Sequence, residues 1–162
     1  MLGARILVVE DDEVLCELIL RNLEVRGHEV YIAEDGQEAL AYLRTTPFDL
    51  IILDINLPDE TGWEVLRTAQ KAGWLPRVEM DGKDGNSRQL PVVVLSAVRV
   101  SSSRLQEFHP LAYLPKPFPM DALLRLAAEA AQHRNGEAVV EQEDAESSLN
   151  ALTDEEEDLY AS

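Results

Sequence analysis

An α/β fold with a parallel sheet covered on both faces is what these 162 residues predict. Three observations carry the prediction. Short apolar runs of β-branched character alternate with segments whose apolar residues recur at helical spacing, as in successive strand–helix units. The run Leu50 to Leu53 (LIIL) is continuously apolar, as a strand inside a parallel sheet is. A hydrophobic content of 46% in a chain of this length supports one core of ordinary size, so a single domain is expected.

The elements follow in order. Arg5 to Glu10 (RILVVE) reads as the first strand. Leu15, Leu18, Ile19 and Leu23 then recur at helical spacing, and Gly27 stops that helix. His28 to Ala33 (HEVYIA) is the second strand, and Gln37 to Arg44 a helix with Ala39, Leu40 and Leu43 inward. Asp49 to Asp54 is the third strand, and Trp63, Val65 and Leu66 open the third helix. Pro91 to Ser96 (PVVVLS) is the fourth strand, with a short helix expected near Ser103 to Phe108. Ala112 to Leu114 is a short fifth strand, and Met120 to Gln132 a final amphipathic helix.

Two segments break the alternation. Gly73 to Gln89 (GWLPRVEMDGKDGNSRQ) is too long for an ordinary connection and is read as an extended loop with room for structure of its own, anchored by Trp74. From Gly136 the chain holds ten Asp and Glu and no Lys or Arg, leaving 21 acids against 14 bases before it. The division is therefore a domain over residues 1–135 and an acidic tail, 136–162, whose composition suits disorder. Within the tail, Thr153-Asp-Glu-Glu fits a helix-capping box, so LTDEEEDLYA is a candidate for a marginal helix or one that folds on a partner, beside the blander reading of a solvated acidic end.

A formal net charge of −17 argues against direct nucleic-acid binding, which needs Lys and Arg on phosphates. No apolar run is long enough to cross a membrane, and the start MLGARILVVE lacks the parts of a signal peptide. Cys16 is the only cysteine, so no intrachain disulfide forms and a cytoplasmic location is expected, with Cys16 as a buried inert thiol. His28, His109 and His133 are scattered and are not read as ligands.

In an open parallel sheet, ligands sit outside the carboxyl ends of the strands. Those ends carry Glu10-Asp11-Asp12, Asp54, Ser96 and Lys116, a set that packing does not require. Carboxylates crowded together repel one another, and a bound Mg²⁺ relieves that repulsion. Glu10, Asp11 and Asp54 are the carboxylate ligands in this reading, with the backbone carbonyl of Asn56 completing the protein side. Lys116 and the Ser96 hydroxyl then face an incoming phosphoryl group, and Asp54 is the nucleophile that accepts it. Asp12 is set apart as a helix N-cap.

The segments VVEDD, LDINLPDETGWEVL, VVVLSA and YLPKPF, in this order and each at a strand end, resemble the receiver domain of two-component response regulators over about residues 4 to 134. The resemblance implies a flavodoxin-like fold with five parallel strands in the order 2-1-3-4-5. It implies that Asp54 accepts a phosphoryl group from a sensor histidine kinase or phosphotransfer protein. Glu10 and Asp11 match the acidic pair that holds Mg²⁺, Asn56 the carbonyl ligand, Ser96 the switch hydroxyl and Lys116 the conserved-type lysine. Tyr113 matches the switch aromatic, whose ring turns inward as Ser96 moves.

The loop 73–89 is longer than such receivers carry, but it leads into the start of a strand and should leave the chemistry intact. Pro110 shortens the fourth helix, on the surface receivers use for output, and leaves homodimerisation an open alternative. With no DNA-binding domain after Arg134, the output is expected through protein contacts, or else the chain is a fragment of a longer regulator. Two other readings compete. An aspartate-nucleophile phosphohydrolase wants a second acid two residues past the nucleophile, where Asn56 stands. A receiver-shaped module that is never phosphorylated is argued against by the complete set of Glu10, Asp11, Asp54, Ser96 and Lys116. The chain is thus expected to be a switch rather than an enzyme.

Overall fold

The computed structural model describes residues 3–79 and 87–134. The chain runs β1 (Arg5–Val9), α1 (Glu13–Glu24), β2 (Glu29–Ala33), α2 (Gly36–Thr45), β3 (Leu50–Asp54), α3 (Gly62–Ala72), β4 (Arg77–Glu79), β5 (Ser87–Gln89), β6 (Val92–Ser96), α4 (Ser102–Phe108), β7 (Ala112–Pro115) and α5 (Met120–Arg134). Five strands form one parallel sheet in the order β2-β1-β3-β6-β7. This is the expected 2-1-3-4-5 order once the small hairpin strands β4 and β5 are set aside.

The pleat divides the core in two. Ile6, Val8, Leu50, Ile52, Val93 and Leu95 turn to one face, where they meet Ile19 and Leu23 of α1 and Leu123 and Ala127 of α5. Leu7, Val9, Ile51, Leu53, Val92 and Val94 turn to the other, against Ala39 and Leu43 of α2, Trp63, Leu66 and Ala69 of α3, and Phe108 of α4. Burying a single one of these aliphatic side chains stabilises the fold by about 1.5–3 kcal/mol. β1, β3 and β6 are buried on both faces, so their carboxyl ends are held rigidly.

Helix starts follow the capping rules. The Asp12 carboxylate accepts from the Val14 and Leu15 amides at 3.0 and 3.2 Å, as its assignment as an N-cap requires. Asp35, Thr61 and Ser101 cap α2, α3 and α4 in the same way. Gly73 closes α3 with φ of 76°, a conformation that favours glycine. α4 has seven residues, as short as Pro110 led us to expect.

One reading needs correction. Leu18 does not face the core but is 51% exposed. The buried stripe of α1 is Cys16, Ile19 and Leu23, and a residue adjacent to Ile19 lies about 100° around the helix from it. Within the segment 73–89, read as an extended loop with room for structure of its own, Arg77–Glu79 and Ser87–Gln89 pair antiparallel, with Val78 opposite Arg88. Gly62 is a position where space, not a positive φ, calls for glycine. It is the first residue of α3, and a Cβ there would stand 2.7 Å from the Asp54 carbonyl oxygen, so the requirement is for space. Trp74 packs on the core beside the hairpin as anticipated. The acidic tail, with its capping-box segment at Thr153, lies outside the described residues.

Candidate functional site

The sheet ladder brings the predicted polar residues to one edge. Glu10 follows β1, with its amide bonded to the Ala33 carbonyl at 3.0 Å. Asp54 closes β3 in register with Leu95, and Ser96 closes β6 in register with Pro115. Lys116 follows at once, its amide bonded to the Ser96 carbonyl at 2.9 Å. Parallel pairing thus places four sequence-distant residues on adjacent strand ends before any side-chain interaction is considered.

The side chains then meet. Lys116 Nζ donates to Glu10 Oε2 at 2.8 Å and to Asp54 Oδ2 at 3.0 Å. Asp54 Oδ1 accepts from the Asn56 amide at 3.0 Å, and Glu10 Oε1 from the Asp12 amide at 3.3 Å. Glu10 and Asp54 are only 1% and 3% exposed. Two buried carboxylates therefore share one ammonium, which can balance only one of them when both are ionised. Burial pushes Glu10 up to about 7, opposed by its bond to Lys116 and reinforced by the Asp54 charge. Burial alone would lower the Lys116 ammonium, but its bonds to Glu10 and Asp54 outweigh that and raise it, so the lysine stays charged.

The donor set suits a hard divalent cation. Oxygen atoms from Glu10, Asp11 and Asp54 lie within 4.8 Å of one another, and Asp11 is exposed toward solvent. Carboxylate oxygens with open solvent positions are what Mg²⁺ takes. Asn56 lies two residues past Asp54 at the same rim, its amide already committed to Asp54 Oδ1. Glu10 to Asp12, Asp54 to Asn56, Ser96 to Val98 and Lys116 line an open cleft of about 430 Å³, room for a tetrahedral anion and bound waters.

The Ser96 and Tyr113 hydroxyls bond to backbone rather than to the carboxylates. Ser96 is buried, and its hydroxyl donates to the Val98 carbonyl at 2.8 Å while accepting from the Val98 amide. The Tyr113 hydroxyl donates to the same Val98 carbonyl at 3.1 Å, from β7 and outside the cleft lining. One backbone oxygen therefore receives both hydroxyls. No side-chain pattern marks Val98 for that role, and sequence reasoning missed it. Cys16 is buried, donates its thiol to the Glu10 carbonyl, and is pushed up to about 12 by burial, which fits an inert thiol that steadies the Glu10 backbone.

Comparison with known proteins agrees with this geometry. The family model for the response regulator receiver domain matches residues 6–128. The chain is 35% identical over 122 residues to the response regulator MprA of Mycolicibacterium vanbaalenii, covering 74% of this chain and 47% of that protein. The chain spans about half the length of the curated relatives it matches. Among solved structures, a CheY-like response regulator receiver domain from Methanospirillum hungatei superposes with a TM-score of 0.66 at 28% identity, covering 85% of this chain and 99% of that one. The response regulator TrrA of Thermotoga maritima, in complex with Mg²⁺ and BeF, superposes with a TM-score of 0.59 at 31% identity, covering 78% and 97%. With its parallel order, its acidic strand ends and its lysine all in place, the chain belongs to the response regulator receiver family.

Proposed function

We propose that Asp54 accepts a phosphoryl group from the phosphohistidine of a sensor histidine kinase or phosphotransfer protein, and that residues 1–135 act as a Mg²⁺-dependent switch signalling through protein contacts. The single observation that carries this reading is the Lys116 ammonium held between Glu10 and Asp54 at the cleft mouth. A buried carboxylate on a rigid strand end, one oxygen fixed by a backbone amide and the other by an ammonium, is a poor surface group and a well-placed nucleophile.

In the transfer, an Asp54 carboxylate oxygen attacks phosphorus, the donor's N–P bond breaks as the O–P bond forms, and the departing imidazole takes up a proton. Lys116 moves from pairing two carboxylates to pairing one carboxylate and the phosphoryl oxygens, so its charge is used throughout. Mg²⁺ held by Glu10, Asp11, Asp54 and the Asn56 carbonyl would neutralise the remaining phosphoryl charge. Ser96 leaves the Val98 carbonyl to donate to a phosphoryl oxygen, and Tyr113, sharing that acceptor, registers the change on the β7 side. The absence of an acid at Asn56 removes the general acid a phosphohydrolase would use, so the aspartyl phosphate persists as a signal.

Beryllofluoride mimics a phosphoryl group on a carboxylate, and the complex described for TrrA makes it the natural probe. Addition of Mg²⁺ and beryllofluoride should shift the amide resonances of Asn56, Val98 and Tyr113, and Asp54→Asn should abolish the shift. An unchanged spectrum in the native protein would reject the reading.

A further inference from the structure

The loop between β3 and α3 carries Asn56, and its far side is fastened to a different helix. The Asp59 carboxylate accepts from the amides of Gly36 at 2.8 Å and Gln37 at 3.1 Å, the first two residues of α2. Those amides have no partner within their own helix, while the third, Glu38, is taken by the N-cap Asp35 at 2.8 Å. The Gly36 donor, more than that of Gln37, holds the Asp59 carboxyl below its usual range. At its base the loop is closed by the Gly62 amide on the Ile55 carbonyl at 2.8 Å and by pairing of Asn56 with Thr61. Glu60 lies close over Gly36, where a Cβ would stand 2.5 Å from Glu60 Oε1, so the loop tip and the helix start are in direct apposition.

We infer that Asp59 is a positioning residue for the metal: by bridging the β3–α3 loop to the start of α2, it fixes the loop on which the Asn56 carbonyl is presented. This rests on the Mg²⁺ reading above. Asp59 is outside the cleft and touches none of the carboxylates that line it, so its effect passes through the backbone. Groups that orient metal ligands commonly change metal affinity by about 10–100-fold when removed. Asp35 provides a matched control. It caps the same helix, carries the same charge and has no bond to the loop.

The test is a Mg²⁺ titration of the full chain followed at the Asn56 amide resonance, without any phosphodonor. Asp59→Ala is expected to weaken Mg²⁺ about tenfold, the lower end of that range. Asp59→Asn, which keeps one acceptor for the Gly36 amide, is expected to recover most of the loss. Asp35→Ala should move the affinity far less than Asp59→Ala. Equal weakening by Asp35→Ala and Asp59→Ala would reduce Asp59 to helix stability and charge, and overturn the inference. Native affinity in Asp59→Ala would overturn it while leaving the Mg²⁺ site standing, whereas no Mg²⁺ response in the unaltered protein would remove both.

Discussion

At the carboxyl end of the sheet, Glu10, Asp54 and Ser96 are buried, the two carboxylates against the Lys116 ammonium, whereas at the amino end His28 is the one buried polar side chain among the described residues. His28 Nδ1 accepts the Ala4 amide at 3.0 Å, so the imidazole is neutral, and burial first, then the Arg26 charge, lowers its pKa. Both ends are closed by the same apolar strands. One satisfies a single neutral group with a single bond, and the other collects opposed charges that one lysine cannot fully balance. Burying an incompletely paired charge works against stability, so the arrangement at the carboxyl end is explained by chemistry rather than by folding.

The largest expected effect breaks the carboxyl end. Lys116→Met leaves Glu10 and Asp54 buried without their cation and should lower unfolding free energy by about 3 kcal/mol at neutral pH in metal-free buffer, read from urea denaturation. Wild-type stability in that variant would mean the carboxylates do not depend on the lysine. Gly62→Ala comes next. Its Cβ would press on the Asp54 carbonyl and the Ile55 Cα, both backbone, so a loss of about 1–3 kcal/mol and weakened phosphoryl acceptance are expected together. A fully stable, fully active Gly62→Ala protein would show that β3 and α3 can part without cost.

Titration sharpens the contrast, because the two ends respond to pH with opposite sign. Glu10 is raised in the fold, so its contribution is fully present below its unfolded pKa near 4.5 and is lost as pH rises through about 7. His28 is lowered, so its contribution is present above its unfolded value near 6.5 and is lost as pH falls through its folded pKa. Urea midpoints from pH 8 to 5 in the presence of EDTA should therefore fall on acidification more steeply for Glu10→Gln than for the native protein, and less steeply for His28→Asn. Parallel curves for all three proteins would show that neither group is coupled to folding. The smallest effect on stability is at the rim. Val98 is 70% exposed, so Val98→Glu should leave stability within about 0.5 kcal/mol. Because Val98 lines the cleft, the new carboxylate can hold a water near the phosphoryl group and should shorten the life of the aspartyl phosphate severalfold; an unchanged decay rate in a phosphate-release assay would remove Val98 from that role.

The strands of the main sheet were legible because a buried parallel strand leaves an unmistakable apolar run, and the acids that end β1 and β3 stand out against it. Helix starts were legible wherever a side-chain oxygen caps them, as at Asp12. What escaped was set by tertiary geometry. Leu18 has helical spacing to Leu15, three residues before it, and only the packed helix shows that the stripe meeting the sheet is Cys16, Ile19 and Leu23. The pairing of Arg77–Glu79 with Ser87–Gln89 falls in a segment rich in Gly and charge, where period-two alternation is too short to read. At the site, the residue types at Glu10, Asp11, Asp54, Ser96 and Lys116 could be named in advance, and the structure brings them to one cleft. The bridging of Glu10 and Asp54 by one ammonium, and the meeting of Ser96 and Tyr113 on the Val98 carbonyl, depend on register and backbone position, which leave no mark on residue type.

The most direct measurement is the intact mass of the protein after incubation with Mg²⁺ and acetyl phosphate, beside Asp54→Asn and a metal-free control. The account predicts the gain of one phosphoryl group in the native protein, and none in the variant or without metal. No gain in the native protein, or the same gain in Asp54→Asn, would contradict the assignment of Asp54 as the phosphoryl acceptor.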